Sequence, residues 1–203
     1  MKYWFLSLLA ITGVGAAQAQ EIDLQQLIRD SQIMRQAGQS IDLVWYIPTE
    51  YWRESFRKGG GMPPKQRDEM LGAITDFVMI ATLESNVGAL GVLSSTPKDE
   101  LEKKMVLVAN NAELHPITEA DLPPATKNFI QLTKPLLASM LGQMGEGLHF
   151  IMFKGSDDSG KPFVDPRARG RLKVKVGVKE FEFRLPLGSL LPPKMDKESG
   201  ERF

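Results

Sequence analysis

Two runs near the C-terminus alternate so strictly that they admit one geometry. Leu172, Val174 and Val176 alternate with Arg171, Lys173 and Lys175, and after Gly177-Val178 the residues Phe181, Phe183 and Leu185 alternate with Glu180, Glu182 and Arg184. A period of two is the signature of a strand with one buried face. A two-residue connection with glycine first is the type II′ hairpin pattern. The expected register pairs Lys175 with Glu180 and Lys173 with Glu182 on one face, and Val174 with Phe181 and Leu172 with Phe183 on the other. Each cross-strand pair stabilises by roughly 0.2–1 kcal/mol. A slip of one residue would turn both apolar rows to water.

The remaining chain divides into short elements around this hairpin. Residues 21–37 carry Ile22, Leu24, Leu27, Ile28, Met34 and Ala37 near helical spacing, with Gly38 as terminator. Residues 41–47 alternate and stop at Pro48, which predicts a strand. A short helix over 50–57 leads to Gly59-Gly60-Gly61, which with Met62-Pro63-Pro64 reads as the most mobile loop. Pro64 suits the first turn of a helix over 65–74. Residues 76–83 read as a strand buried on both faces, followed by a turn at 85–88 and a return strand at 89–94. Strands are expected at 104–109 and 149–154. A helix over 125–144 is expected to bury Phe129, Leu132, Leu136, Met140 and Met144, with a kink at Pro135. Strands outnumber helices and are joined by turns. The expected class is therefore α+β: a single domain with a mainly antiparallel sheet and several packing helices.

The first residues carry an address. Lys2 precedes a largely apolar run from Trp4 to Gly15, and Ala17-Gln18-Ala19 places small residues where a signal peptidase reads. The run is too short to span a bilayer, which needs about 20 residues. The expected organisation is a cleaved signal peptide at 1–19, a globular domain at 20–186 and an extended polar C-terminal tail at 187–203. The mature chain is then exported, periplasmic or secreted, without a transmembrane segment. Cysteine is absent, which excludes disulfides, thiolate metal sites and cysteine nucleophiles. A cysteine-free exported domain fits a bacterial envelope protein. Lys and Arg total 25 against 25 Asp and Glu, so no overall field attracts nucleic acid.

No local catalytic signature emerges. Gly155 to Lys161 has the spacing of a phosphate-binding loop, but Pro162 follows where Ser or Thr should hold magnesium, and Asp157 and Asp158 would repel phosphates. It reads as a polar loop. Asp157, Asp158 and Asp165 do not match the spacing of a calcium-binding EF-hand. His115 and His149 belong to no zinc motif, and read as one surface and one packed histidine. Gly188-Ser189-Leu190 lacks the framing of a nucleophile elbow. Met140 and Met144 read as core beside Leu136 and Leu137. No cofactor or metal site is expected.

The densest unusual stretch is Trp45 to Phe56, which holds two of the three tryptophans. Tyr46, Tyr51 and Trp52 are hard to bury completely, and beside Glu50, Arg53 and Glu54 they are expected to line a groove. Its occupant would be an envelope protein, a peptide or a glycan. The leading expectation is a non-enzymatic binding or assembly module. One alternative is an envelope hydrolase or metal-dependent enzyme using His115 and His149 with carboxylates. Another is a carrier enclosing a small apolar ligand between the sheet and the helix at 125–144.

Overall fold

In the computed structural model, which describes residues 21–192, the alternating runs form strands β8 (Gly170–Val176) and β9 (Lys179–Leu185). Their register pairs Lys175 with Glu180, Val174 with Phe181, Lys173 with Glu182 and Leu172 with Phe183, as the alternation requires. Gly177 takes the left-handed conformation at φ 58°, the first central position of the turn. The Lys–Glu face pairs on the diagonal as well: Lys173 Nζ lies 2.8 Å from Glu180 and 3.5 Å from Glu182.

The other elements follow in chain order. They are α1 (Leu24–Ser31), β1 (Gln32–Ala37), β2 (Ser40–Ile47), α2 (Thr49–Gly59), α3 (Pro64–Gly72), β3 (Phe77–Val87) and β4 (Leu93–Ser95). Then come α4 (Lys98–Lys104), β5 (Met105–Ala109), β6 (Ala112–Leu114), α5 (Pro124–Met140) and β7 (His149–Lys154), before β8 and β9. The class is α+β, and every strand pairing is antiparallel. The strands divide into two sheets. In the first, β1, β2 and β3 are neighbours, and the far edge of β3 is shared end to end by β7 and β4. The second has the order β6-β5-β8-β9.

Strand β2 shows how the layers stack. Neighbouring side chains on a strand point to opposite faces. Trp45 faces the helices: its Nε1 donates to Ser31 Oγ of α1 at 3.1 Å, and its ring meets Tyr51 of α2 edge-on at 5.2 Å. Tyr46 faces the second sheet, 6.5 Å from the Phe183 ring of β9. The first sheet is therefore the middle layer, between helices and the second sheet. The two sheets are also tied by charge. Asp42 and Glu84 are direct partners across β2 and β3, and Lys179 of β9 reaches both, at 2.7 and 2.8 Å. Lys104, at the end of α4, also binds Glu84.

Four local expectations are corrected. The helix at 21–37 ends at Ser31, and its second half is the edge strand β1. Pairing along six residues of β2 outweighs a weak helical pattern. Gly38 does not stop a helix but turns this hairpin. The turn expected at 85–88 comes later, because β3 continues to Val87 and the return strand is only Leu93–Ser95. Helix α5 stops at Met140, and a 3₁₀ turn, Gly142–Gly147, replaces its expected last turn. Its buried face is Thr126, Phe129, Thr133 and Leu137, whereas Leu132, Leu136 and Met140 are 64%, 63% and 57% exposed.

The two buried threonines explain the last reversal. Thr133 donates to the Phe129 carbonyl at 2.7 Å and Thr126 to the Ala73 carbonyl at 2.6 Å. Hydroxyls satisfied in this way pack as small core residues, so a stripe that looks polar in sequence turns inward.

At the C-terminus, Leu187 and Leu190 are buried, Gly188–Leu190 forms a 3₁₀ turn, and the Ser189 amide donates to Asp30 of α1. The first residues of the expected tail thus pack on the domain. The expected signal peptide, 1–19, and positions 193–203 lie outside the described residues.

Candidate binding groove

Helix α2 places the aromatic stretch. Its inward side chains continue the Trp45 contact as a chain of rings. Tyr51 meets Trp52 edge-on at 5.2 Å, Trp52 meets Phe129 of α5 edge-on at 5.0 Å, and Phe56 lies 5.9 Å from Trp52. Each such pair adds about 0.5–1.5 kcal/mol beyond the area it buries. The cluster locks α2 and α5 side by side. Gly60, at φ 67°, ends α2 in the left-handed conformation and turns the chain into the glycine loop.

Between the two helices runs a groove of about 530 Å3. Its floor is Tyr51, Trp52 and Phe56. Gly59 at the end of α2, with Gly61 and Met62 of the loop, closes one side, and Leu136, Leu137 and Met140 of α5 form the other. Leu132 extends the apolar rim one turn along α5 at the i, i+4, i+8 spacing. Large apolar side chains cluster here on the outside of α5.

The six residues expected to share one groove do not do so, and Glu54 among them is buried and paired with Arg57 at 2.6 Å. Tyr46, Tyr51 and Trp52 are all buried, Trp52 to 2% exposure, which corrects the expectation that they stand partly open. Only Tyr51 and Trp52 underlie the groove. Tyr46 is turned to the second sheet, where burial first, and then Glu50 and Asp165, push its hydroxyl pKa upward. With Glu50 and Arg53 it lines a separate depression of about 260 Å3. Glu50 is held there by Arg167, at 3.3 Å, while Arg53 is exposed and makes no ion pair among the described residues. The separation is geometric: Tyr46 lies on one side of the middle sheet, and Tyr51 and Trp52 on the other. The sequence pattern points the more hydrophobic stripe of residues 125–144 inward, whereas the structure turns inward the stripe that carries Thr126, Phe129, Thr133 and Leu137. Two stripes on one helix are wider than one core face needs.

Elsewhere, the polar loop is built for itself. Asp157 accepts from the Ser159 and Lys161 amides and from Ser159 Oγ, and Ser156 and Pro162 form a bridge in place of a helix. Asp158 pairs with Lys154, and Asp165 accepts from the Arg167 amide. His115 is exposed and His149 half-buried. Burial first, and then Lys134, hold the His149 pKa below the usual value. Among the described residues, no group of three His, Asp or Glu side chains could hold a metal ion, and no helix is long and apolar enough to cross a membrane. No protein-family model matches the chain, and neither does any curated protein or solved structure.

Proposed function

We propose that this chain is an exported, periplasmic or secreted, bacterial binding or assembly module without catalytic activity, and that the groove between α2 and α5 is its contact surface. One observation carries the reading: Leu136 and Met140 stand more than half exposed over a floor made of Trp52 and Phe56. Nothing in the core requires them there, because Thr126, Phe129, Thr133 and Leu137 already pack the inner side of α5. The N-terminal pattern of Lys2, the apolar run and Ala17-Gln18-Ala19 supports export. The groove favours an apolar occupant, such as the greasy face of a partner protein or peptide, because Phe56, Met62, Leu136, Leu137 and Met140 outnumber the polar Ser55 and Gln66 in its lining.

A photo-crosslinking residue at Leu136, in the protein exported by its own cells, tests this. Leu90 and Val178 are the controls, since both are exposed apolar residues away from the groove. The reading expects a discrete adduct from position 136 alone, with a protein partner or with a second copy. Equal or absent crosslinking at all three positions overturns it. A carrier of a small apolar ligand, expected to enclose it between the sheet and the helix at 125–144, would have to use this open groove instead, whose volume lies in the range of ligand pockets. A lipid adduct at position 136 in place of protein would favour it.

A further inference from the structure

The first half of α5 borders a second pocket whose chemistry is opposite to the groove. It measures about 390 Å3 and is lined by Lys98 of α4, Lys127 and Lys134 of α5, Glu119, and His149 of β7, with Leu122, Ile130 and Phe150 as its apolar part. All three lysines are half-buried. Lys98 is satisfied, with Glu119 at 2.9 Å and Glu102 at 3.5 Å. Lys127 Nζ reaches only the Ala120 carbonyl, at 3.2 Å. Lys134 has no hydrogen-bond or ion-pair partner among the described residues. Two half-buried lysines therefore share one pocket whose carboxylate, Glu119, is engaged by Lys98 at 2.9 Å and feels Lys127 and Lys134 only at longer range. Like charges gathered away from water repel, and burial magnifies the repulsion. The outer face of β8 differs in this respect, because Lys173 and Lys175 there are each paired with glutamates.

We propose that this pocket binds a phosphate monoester, with Lys127 and Lys134 taking the phosphate and Leu122, Ile130 and Phe150 taking the organic part. Ammonium groups act as compact point charges, and two of them match the near-double charge of a phosphate monoester better than the single charge of a carboxylate. His149 lies at the pocket as a further hydrogen-bonding group. Its charged form is disfavoured there by burial, Lys134 and Lys98, and favoured by the Thr96 carbonyl. A dianion between the lysines offsets their field at the imidazole. The site is separate from the apolar groove and does not depend on it.

Titrating the isotope-labelled protein with inorganic phosphate and with phenyl phosphate, followed by NMR, tests the assignment. The expected result is saturable shifts centred on Ile130, Lys134 and His149, with phenyl phosphate the tighter of the two and the His149 pKa raised in the complex. Charge-assisted hydrogen bonds are worth about 1.5–3 kcal/mol, so Lys134→Gln and Lys127→Gln should each weaken binding by roughly tenfold or more. Lys134→Arg should retain most of it. Lys65→Gln, a control at an exposed α3 lysine, should leave it unchanged. Folding of each variant is checked by the rest of its spectrum, and either lysine variant suffices. Shifts scattered over surface lysines, or equal affinity in both glutamine variants and the parent, would overturn the proposal. Phenyl phosphate binding no tighter than phosphate would overturn the role of the apolar side chains.

Discussion

The middle sheet is gripped on its two faces by different chemistry. On the helix side the joint includes a dry run of rings: Trp45, Tyr51, Trp52, Phe129 and Phe56, each within 6.5 Å of another. On the side of the second sheet, aromatic contacts such as Tyr46 with Phe183 are supplemented at one end by charge. Asp42 and Glu84 face each other there as direct cross-strand partners, and Lys104 and Lys179 hold them. Two carboxylates opposite one another would destabilise an isolated sheet. They become an asset only because the second sheet brings ammonium groups to them. The apolar joint is held by area and the polar joint by direction. An area-driven contact tolerates surplus. A hydrogen-bonded cluster closes on itself.

The contrast is tested most severely by Trp52→Ala. Removing a buried tryptophan side chain costs about 3–5 kcal/mol. Urea unfolding should show a loss of that size, enough to unfold a marginal domain. A small loss would mean that the helix joint does not depend on its rings.

Glu84→Gln should cost less, about 1–3 kcal/mol, since it weakens charge-assisted bonds while keeping the shape. Its effect should also depend on pH, and the parent protein shows why. Burial works to raise the Glu84 pKa, but hydrogen bonds from Lys104, Lys179 and Thr96 outweigh it and bring the group down to about 2 from the ordinary 4.5. A folded value below the unfolded one contributes stability that is complete above pH 4.5 and is lost as pH falls through 2. The stability gap between parent and Glu84→Gln, measured by denaturant titration across this range, should therefore narrow in acid. The penalty of Trp52→Ala should carry no such pH dependence, and a parallel acid decline in both variants would erase the distinction between the joints.

Lys134→Gln should move stability by under about 0.5 kcal/mol while raising the His149 pKa, because Lys134 opposes the imidazolium. An NMR titration of the imidazole reads that shift. Leu136→Asp should have the smallest effect on folding, again within about 0.5 kcal/mol, because the side chain is already 63% exposed. A large loss would return Leu136 to the core and remove the groove.

Legibility from sequence follows the same physics. The β8–β9 register could be written down from alternation and one turn, because every partner lies within sixteen residues and a slip exposes a whole row. Residues 32–37 could not be read, because their structure is decided by β2 and not by their own preference. The site was half legible: the Trp45–Phe56 stretch does underlie the groove, but which of its aromatics face which layer depends on how β2 and α2 meet. The outward turn of Leu132, Leu136 and Met140 depends on what α5 packs against, and the lysine pocket joins α4, α5, β7 and the segment before α5, a convergence that no local spacing announces.

Sequence by itself determined the antiparallel α+β class, the hairpin register and the absence of any disulfide, since these depend on local periodicity and on which residue types exist. Only the tertiary structure decided which stripe of α5 turned inward. Thr126 and Thr133 can be buried because Ala73 and Phe129 offer them carbonyls, and that supply of acceptors is a property of the folded neighbourhood and not of the threonines.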